Sequence, residues 1–155
     1  MVMLGVSFHS NADDNCDIKD LQKCSSCDGL EKAIEWNNPD YGEYYRGVYW
    51  NGLFGSYRLN CIDIGKKLLE HHANPNLGGT FGSFIITLSR AWPHNKKNIN
   101  KKWAELILGY SPDANWKIPF TNESTKEVLV NEEISIDYPD INKMLIDTDI
   151  QNGKN

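Results

Sequence analysis

No apolar run in this chain approaches the length needed to cross a bilayer, so no transmembrane helix and no membrane partner is read. The opening stretch, MVMLGVSFHSNADD, lacks both a basic leader and a small-residue cleavage pattern, and no signal peptide is assigned to it. Low-complexity segments are missing, and no internal repeat is read. What remains is an ordinary soluble composition, 155 residues with 40% hydrophobic and 24% charged. That length suits one domain with a real core and is short for two. The expectation is a single α+β domain over 1–155, frayed at 1–15 and 148–155. Its expected location is cytoplasmic, with secretion as an effector the alternative.

A surplus of positive charge is also lacking, since the formal net charge is −5. The charge is unevenly spread. Residues 123–155 hold eight acids against three lysines, which accounts for the whole imbalance. Residues 90–102 hold Arg90, Lys96, Lys97, Lys101 and Lys102 with no acid among them. Such asymmetry fits a basic face for a polyanion beside an acidic C-terminal element that is solvated or faces a protein partner. A solvated lysine-rich helix start explains the basic run equally well.

Four cysteines, Cys16, Cys24, Cys27 and Cys61, fall in the first 61 residues. The Cys24-Ser-Ser-Cys27 gap lets two thiolates share a tetrahedral metal, and the other two complete a structural zinc set. No second Cys-x-x-Cys pair exists. Two disulfides, or free thiols, remain open alternatives.

Apolar spacing predicts helices over 17–36 in two pieces, ending before Pro39, and over 96–108, ending at Gly109. The aromatic-dense segment YGEYYRGVYWNGLFGSY, residues 41–57, reads as core or a strand pair. Residues 58–72 read as a hairpin, with an amphipathic helix as the alternative. Residues 73–82 are a loop, and FIITLSRAW is β-prone although it could start a helix. EVLVNEEISIDY alternates as a hairpin or bent strand, and a short helix follows Pro139.

Residues 61–97 carry the densest chemistry: Cys61 to Gly65, then Leu68-Leu69-Glu70-His71-His72, Pro75, Gly78-Gly79, the 84–90 segment and His94-Asn95-Lys96-Lys97. In order and spacing this stretch resembles the HNH endonucleases. The resemblance implies a ββα-metal-like centre of β-hairpin, loop and helix. It also implies metal-dependent cleavage of nucleic-acid phosphodiesters, in a toxin or mobile-element nuclease. His72 would be the general base, and His71 and His94 ligands to a divalent Mg, Mn or Zn ion. Arg90, Lys96, Lys97 and Lys101 would grip phosphates. A histidine base on water, with a metal neutralising the scissile phosphate, is what that reaction needs. The chain departs from the pattern at Ile64, where the family has a knuckle cysteine, and at Phe84, where it has its middle asparagine.

Two other readings stand beside it. Arg46, Ser83 and Glu127 occur in the order Arg, Ser/Thr, Glu and resemble ADP-ribosyltransferases, although Thr125 stands where a second acid is usual. Alternatively the chain is no enzyme but an interaction or immunity-type protein, binding through its aromatic and acidic surface.

Overall fold

The run Ile62-Asp-Ile-Gly-Lys-Lys-Leu-Leu-Glu70 places Ile64, Gly65, Leu68 and Leu69 on one side of a helix and the charges on the other. In the computed structural model, which describes residues 16–89, 97–119 and 121–131, this run is helical and those four residues are buried. The expected hairpin over 58–72 is therefore replaced by its helical alternative. A period of 3.6 buries all four apolar positions together, whereas a two-residue period would divide them between faces.

The described elements are α1 (Cys27–Ala33), β1 (Gly42–Tyr45), β2 (Val48–Asn51), α2 (Gly52–Leu59), α3 (Ile62–Glu70), β3 (Gly79–Thr80), α4 (Phe84–Ser89), α5 (Lys97–Leu108) and α6 (Thr125–Asn131), after a 3-10 turn at Leu21–Lys23. The strands form one antiparallel sheet in the order β1-β2-β3. The α+β class is thus as expected. FIITLS is helical rather than extended, and Glu127–Asn131 belongs to α6 rather than to a C-terminal hairpin. The frayed ends and the last short helix fall outside the described residues.

A repeat is present in the structure although residue identities hide it. Three times among the described residues the chain runs through a hairpin and starts a helix from a buried capping residue. Asn51, Ser83 and Ser124 hold these positions, pairing back to Gly42, Leu77 and Lys117 respectively. Asn51 Oδ1 accepts from Phe54 N at 2.9 Å, Ser83 Oγ from Ile86 N at 3.4 Å, and Ser124 Oγ from Glu127 N at 3.1 Å. After the first two of these helices a second one follows, α3 behind α2 and α5 behind α4. Each second helix is followed within three residues by one with positive φ, His72 (67°) after α3 and Ser111 (52°) after α5. Each is followed by a side-chain-closed turn, with Asn76 N donating to Asn74 Oδ1 and Asn115 N to Asp113 Oδ1, both at 2.9 Å.

The units stack through apolar and polar layers. Trp103 of α5 is fully buried, meets the rings of Tyr57 and Phe84, and donates Nε1 to Asn60 Oδ1 at 3.2 Å. Its six-membered ring lies where a Cβ on Gly65 would be, with Cη2 at 2.5 Å. In the loop layer, Asn74 N donates to Asp40 Oδ1 and Asp113 N to Asn76 Oδ1, both at 2.7 Å, one loop bonded to the next. Two disulfides, Cys16–Cys24 and Cys27–Cys61, fasten the N-terminal part. The expected zinc set of Cys16, Cys24, Cys27 and Cys61 is thereby corrected, because a disulfide sulfur is not the thiolate that zinc binds. Closing the 34-residue separation between Cys27 and Cys61 is worth about 3–4 kcal/mol on the chain-entropy account.

Gly65→Ala gains helix propensity of about 1 kcal/mol but collides with Trp103. It is expected to lower stability to urea by about 1–3 kcal/mol in the wild-type background and to be neutral or stabilising beside Trp103→Leu. Equal effects in the two backgrounds would contradict the ring's placement on Gly65.

Candidate functional site

The histidines that resemble a nuclease centre sit at a helix end rather than a strand end. His72 N donates to Leu69 O and Ala73 N to Leu68 O, which closes α3 in a Schellman motif with His72 in the left-handed position. His71 is exposed and meets Trp36 edge-on at 5.2 Å. His94, Arg90 and Lys96 lie outside the described residues. Lys97 begins α5, while Lys101 and Lys102 are exposed on it, Lys101 Nζ lying 3.9 Å from Glu105. Among the described residues no group of three or more His, Cys, Asp or Glu is placed to hold a metal.

Arg46, Ser83 and Glu127 have separate structural work. Arg46 is at a hairpin turn with its guanidinium 5.1 Å over the Tyr45 ring. Ser83 is fully buried, 3.2 Å from Thr125 Oγ1, and caps α4. Glu127 completes a capping box: Ser124 N donates to Oε2 at 2.6 Å, and Lys117 Nζ lies 3.1 Å from the same oxygen. The hydrogen bonds from Ser124, with Lys117 beside them, hold the Glu127 carboxyl at about 2, well below its usual 4.5. Among the described residues no hydrogen bond or ion pair joins Arg46 to Ser83 or Glu127.

The surface built with most care is the hairpin β1–β2. Arg46 (φ 51°) and Gly47 (φ 77°) make a two-residue turn of the type whose twist matches the flanking strands. Tyr44 stands opposite Tyr49 with ring centroids 4.9 Å apart, and Tyr45 stands opposite Val48. Phe81 N donates to Gly47 O at 2.8 Å, and β3 pairs with Val48 and Tyr49, so the following loop buttresses the turn. Tyr49 donates its hydroxyl to Asp40 O at 3.0 Å. The Tyr44 hydroxyl rests over Gly82, where a Cβ would come within 2.6 Å of it. Burial pushes the Tyr44 and Tyr49 phenols upward. Yet Tyr44 and Tyr45 remain 42% and 47% exposed, two large rings displayed on fixed backbone with Glu43 and Arg46 at their sides.

In sequence, residues 41–57 form one aromatic-dense block. The structure divides it: Trp50 meets Phe54 at 4.8 Å and packs against the core, while Tyr44 and Tyr45, neighbours in β1 whose side chains leave opposite faces of the sheet, stay 42% and 47% exposed. The signal that separates them is local: Arg46-Gly47 fixes the turn, and the turn fixes which residues pair. No family model, no curated protein and no solved structure matches this chain.

The Glu127 carboxylate supports the fold above its ordinary value of 4.5, and that support is lost as pH falls through its folded value of about 2. Between those values wild type should therefore lose melting temperature more steeply than Glu127→Gln. Parallel pH profiles would contradict the capping-box assignment.

Proposed function

We propose that this chain is a non-catalytic interaction domain, a short stack of hairpin-and-helix units that binds a protein partner through its loop layer. Units of a β-turn or hairpin plus two helices, each touching its neighbours, resemble ankyrin-type solenoids. In such stacks an insertion in one unit commonly lies on the binding face. Here the loop ahead of α2 carries the longest of the three hairpins, from Gly42 to Asn51. That insertion, with two exposed tyrosines on a buttressed turn, is the observation that carries the proposal. Tyrosine offers large contact area with few rotors to freeze, which suits an interface anchor. The histidine pair is accounted for by helix termination and needs no catalytic role. Two disulfides favour an oxidising compartment over the cytoplasm.

A photo-crosslinking amino acid placed at Tyr45 should trap one defined partner in the native setting, and the same probe at Lys101 should not. For that partner, Tyr44→Ala with Tyr45→Ala is expected to weaken binding at least tenfold, about 1.4 kcal/mol, with affinity read well below the melting temperature of each variant. Unchanged affinity would contradict the hairpin as the anchor. Phosphodiester cleavage by the purified protein with Mg²⁺, Mn²⁺ or Zn²⁺, abolished by His72→Ala, would instead restore the nuclease reading.

A further inference from the structure

Asn122-Glu123-Ser124 is the one Asn-x-Ser/Thr triplet in the chain, and its middle residue is not proline. That pattern is an acceptor for N-linked oligosaccharide in proteins that pass through a secretory compartment. The triplet alone is a weak signal, so its setting decides what it is worth.

Three structural facts favour it. The first is position. Thr121, Asn122 and Glu123 are all exposed, in the loop ahead of α6. Asn122 N donates to Ile118 O and Ile118 N to Glu123 O, both at 2.8 Å, which makes Asn122 (φ 60°) part of a tight exposed turn. The second is the division of labour within the triplet. Ser124 is buried and its hydroxyl caps α6, while no described hydrogen bond engages the Asn122 side chain. The amide is thus displayed and the hydroxyl withdrawn. The third is redox state: disulfides such as Cys16–Cys24 and Cys27–Cys61 form and persist in oxidising compartments, the lumen of the secretory route among them.

We infer that Asn122 is an N-glycosylation site. The donor is an oligosaccharide linked through a diphosphate to a polyprenol lipid. A bond forms between Asn122 Nδ2 and the anomeric carbon, and the bond from that carbon to the diphosphate oxygen breaks. The diphosphate leaves with the electron pair, and the amide gives up one proton. Transfer occurs on the extended chain, where Ser124 is accessible to the transferase. On folding, the hydroxyl turns in to cap α6 and the glycan remains outside. The glycan then stands on the loop ahead of α6.

The test is expression of the full chain, behind a cleavable secretion leader, in a eukaryotic cell. Intact mass is read on both cell extract and medium, so that a variant retained for misfolding still reports. Wild type should carry added mass that a peptide N-glycosidase removes, leaving Asp at position 122. Asn122→Gln should lack the added mass, and Ser124→Thr, which keeps both hydroxyl and cap, should retain it. Wild-type protein with both disulfides formed and no added mass would overturn the inference, as would a glycan that persists in Asn122→Gln.

Discussion

The seat of Trp103 on Gly65 is the contact on which the rest of the stack depends. A fully buried indole needs both apolar walls and an acceptor for its N–H. Tyr57 and Phe84 supply the walls, and Asn60 supplies the acceptor. None of these could close around the ring if position 65 carried a side chain. One missing methyl group therefore sets how near α5 approaches α3, and with it the spacing of the loops that follow. A smaller glycine contact serves the preceding interface, where Leu30 of α1 lies 3.0 Å from the Cβ position of Gly55 in α2.

Given that spacing, the loop layer becomes a row of hydrogen bonds rather than a set of separate turns. Asp40 accepts from Asn74, and Asn76 accepts from Asp113. These bonds satisfy backbone N–H groups that the turns would otherwise leave to solvent, and they fix each loop against its neighbour. A loop layer of this kind is rigid because its backbone is held at both ends. The hairpin from Gly42 to Asn51 inherits that rigidity through Phe81 and β3. On the proposed reading, rings presented on such a support would lose little conformational freedom on binding, which is where affinity is most easily wasted.

Much of the fold was legible in the sequence. The helices at 27–33 and 97–108 follow from apolar spacing and from Gly109, and a strand pair is one of the two readings that the aromatic density of 41–57 supports. Other features were obscured for a physical reason. Short runs such as FIITLS are apolar throughout, and a buried helix and a buried strand then look alike. The repeat was hidden because its copies share cap chemistry rather than residues, with Asn, Ser and Ser at the same structural position. Its spacing is also irregular: two residues separate α2 from α3, and seven separate α4 from α5. The stretch that resembles a nuclease also has a structural role. His, Asn, Pro and Gly are the residues that end a helix and turn a chain, and His71 to Gly79 does both.

The stacking geometry is open to one direct spectroscopic measurement. With Gly65 against the indole face, its α-proton resonances should move upfield by ring-current shielding and show strong nuclear Overhauser contacts to the Trp103 six-ring protons. Assigned spectra in which the Gly65 α-protons keep ordinary helical shifts and show no contact to Trp103 would contradict the stack itself, and with it the loop layer built upon it.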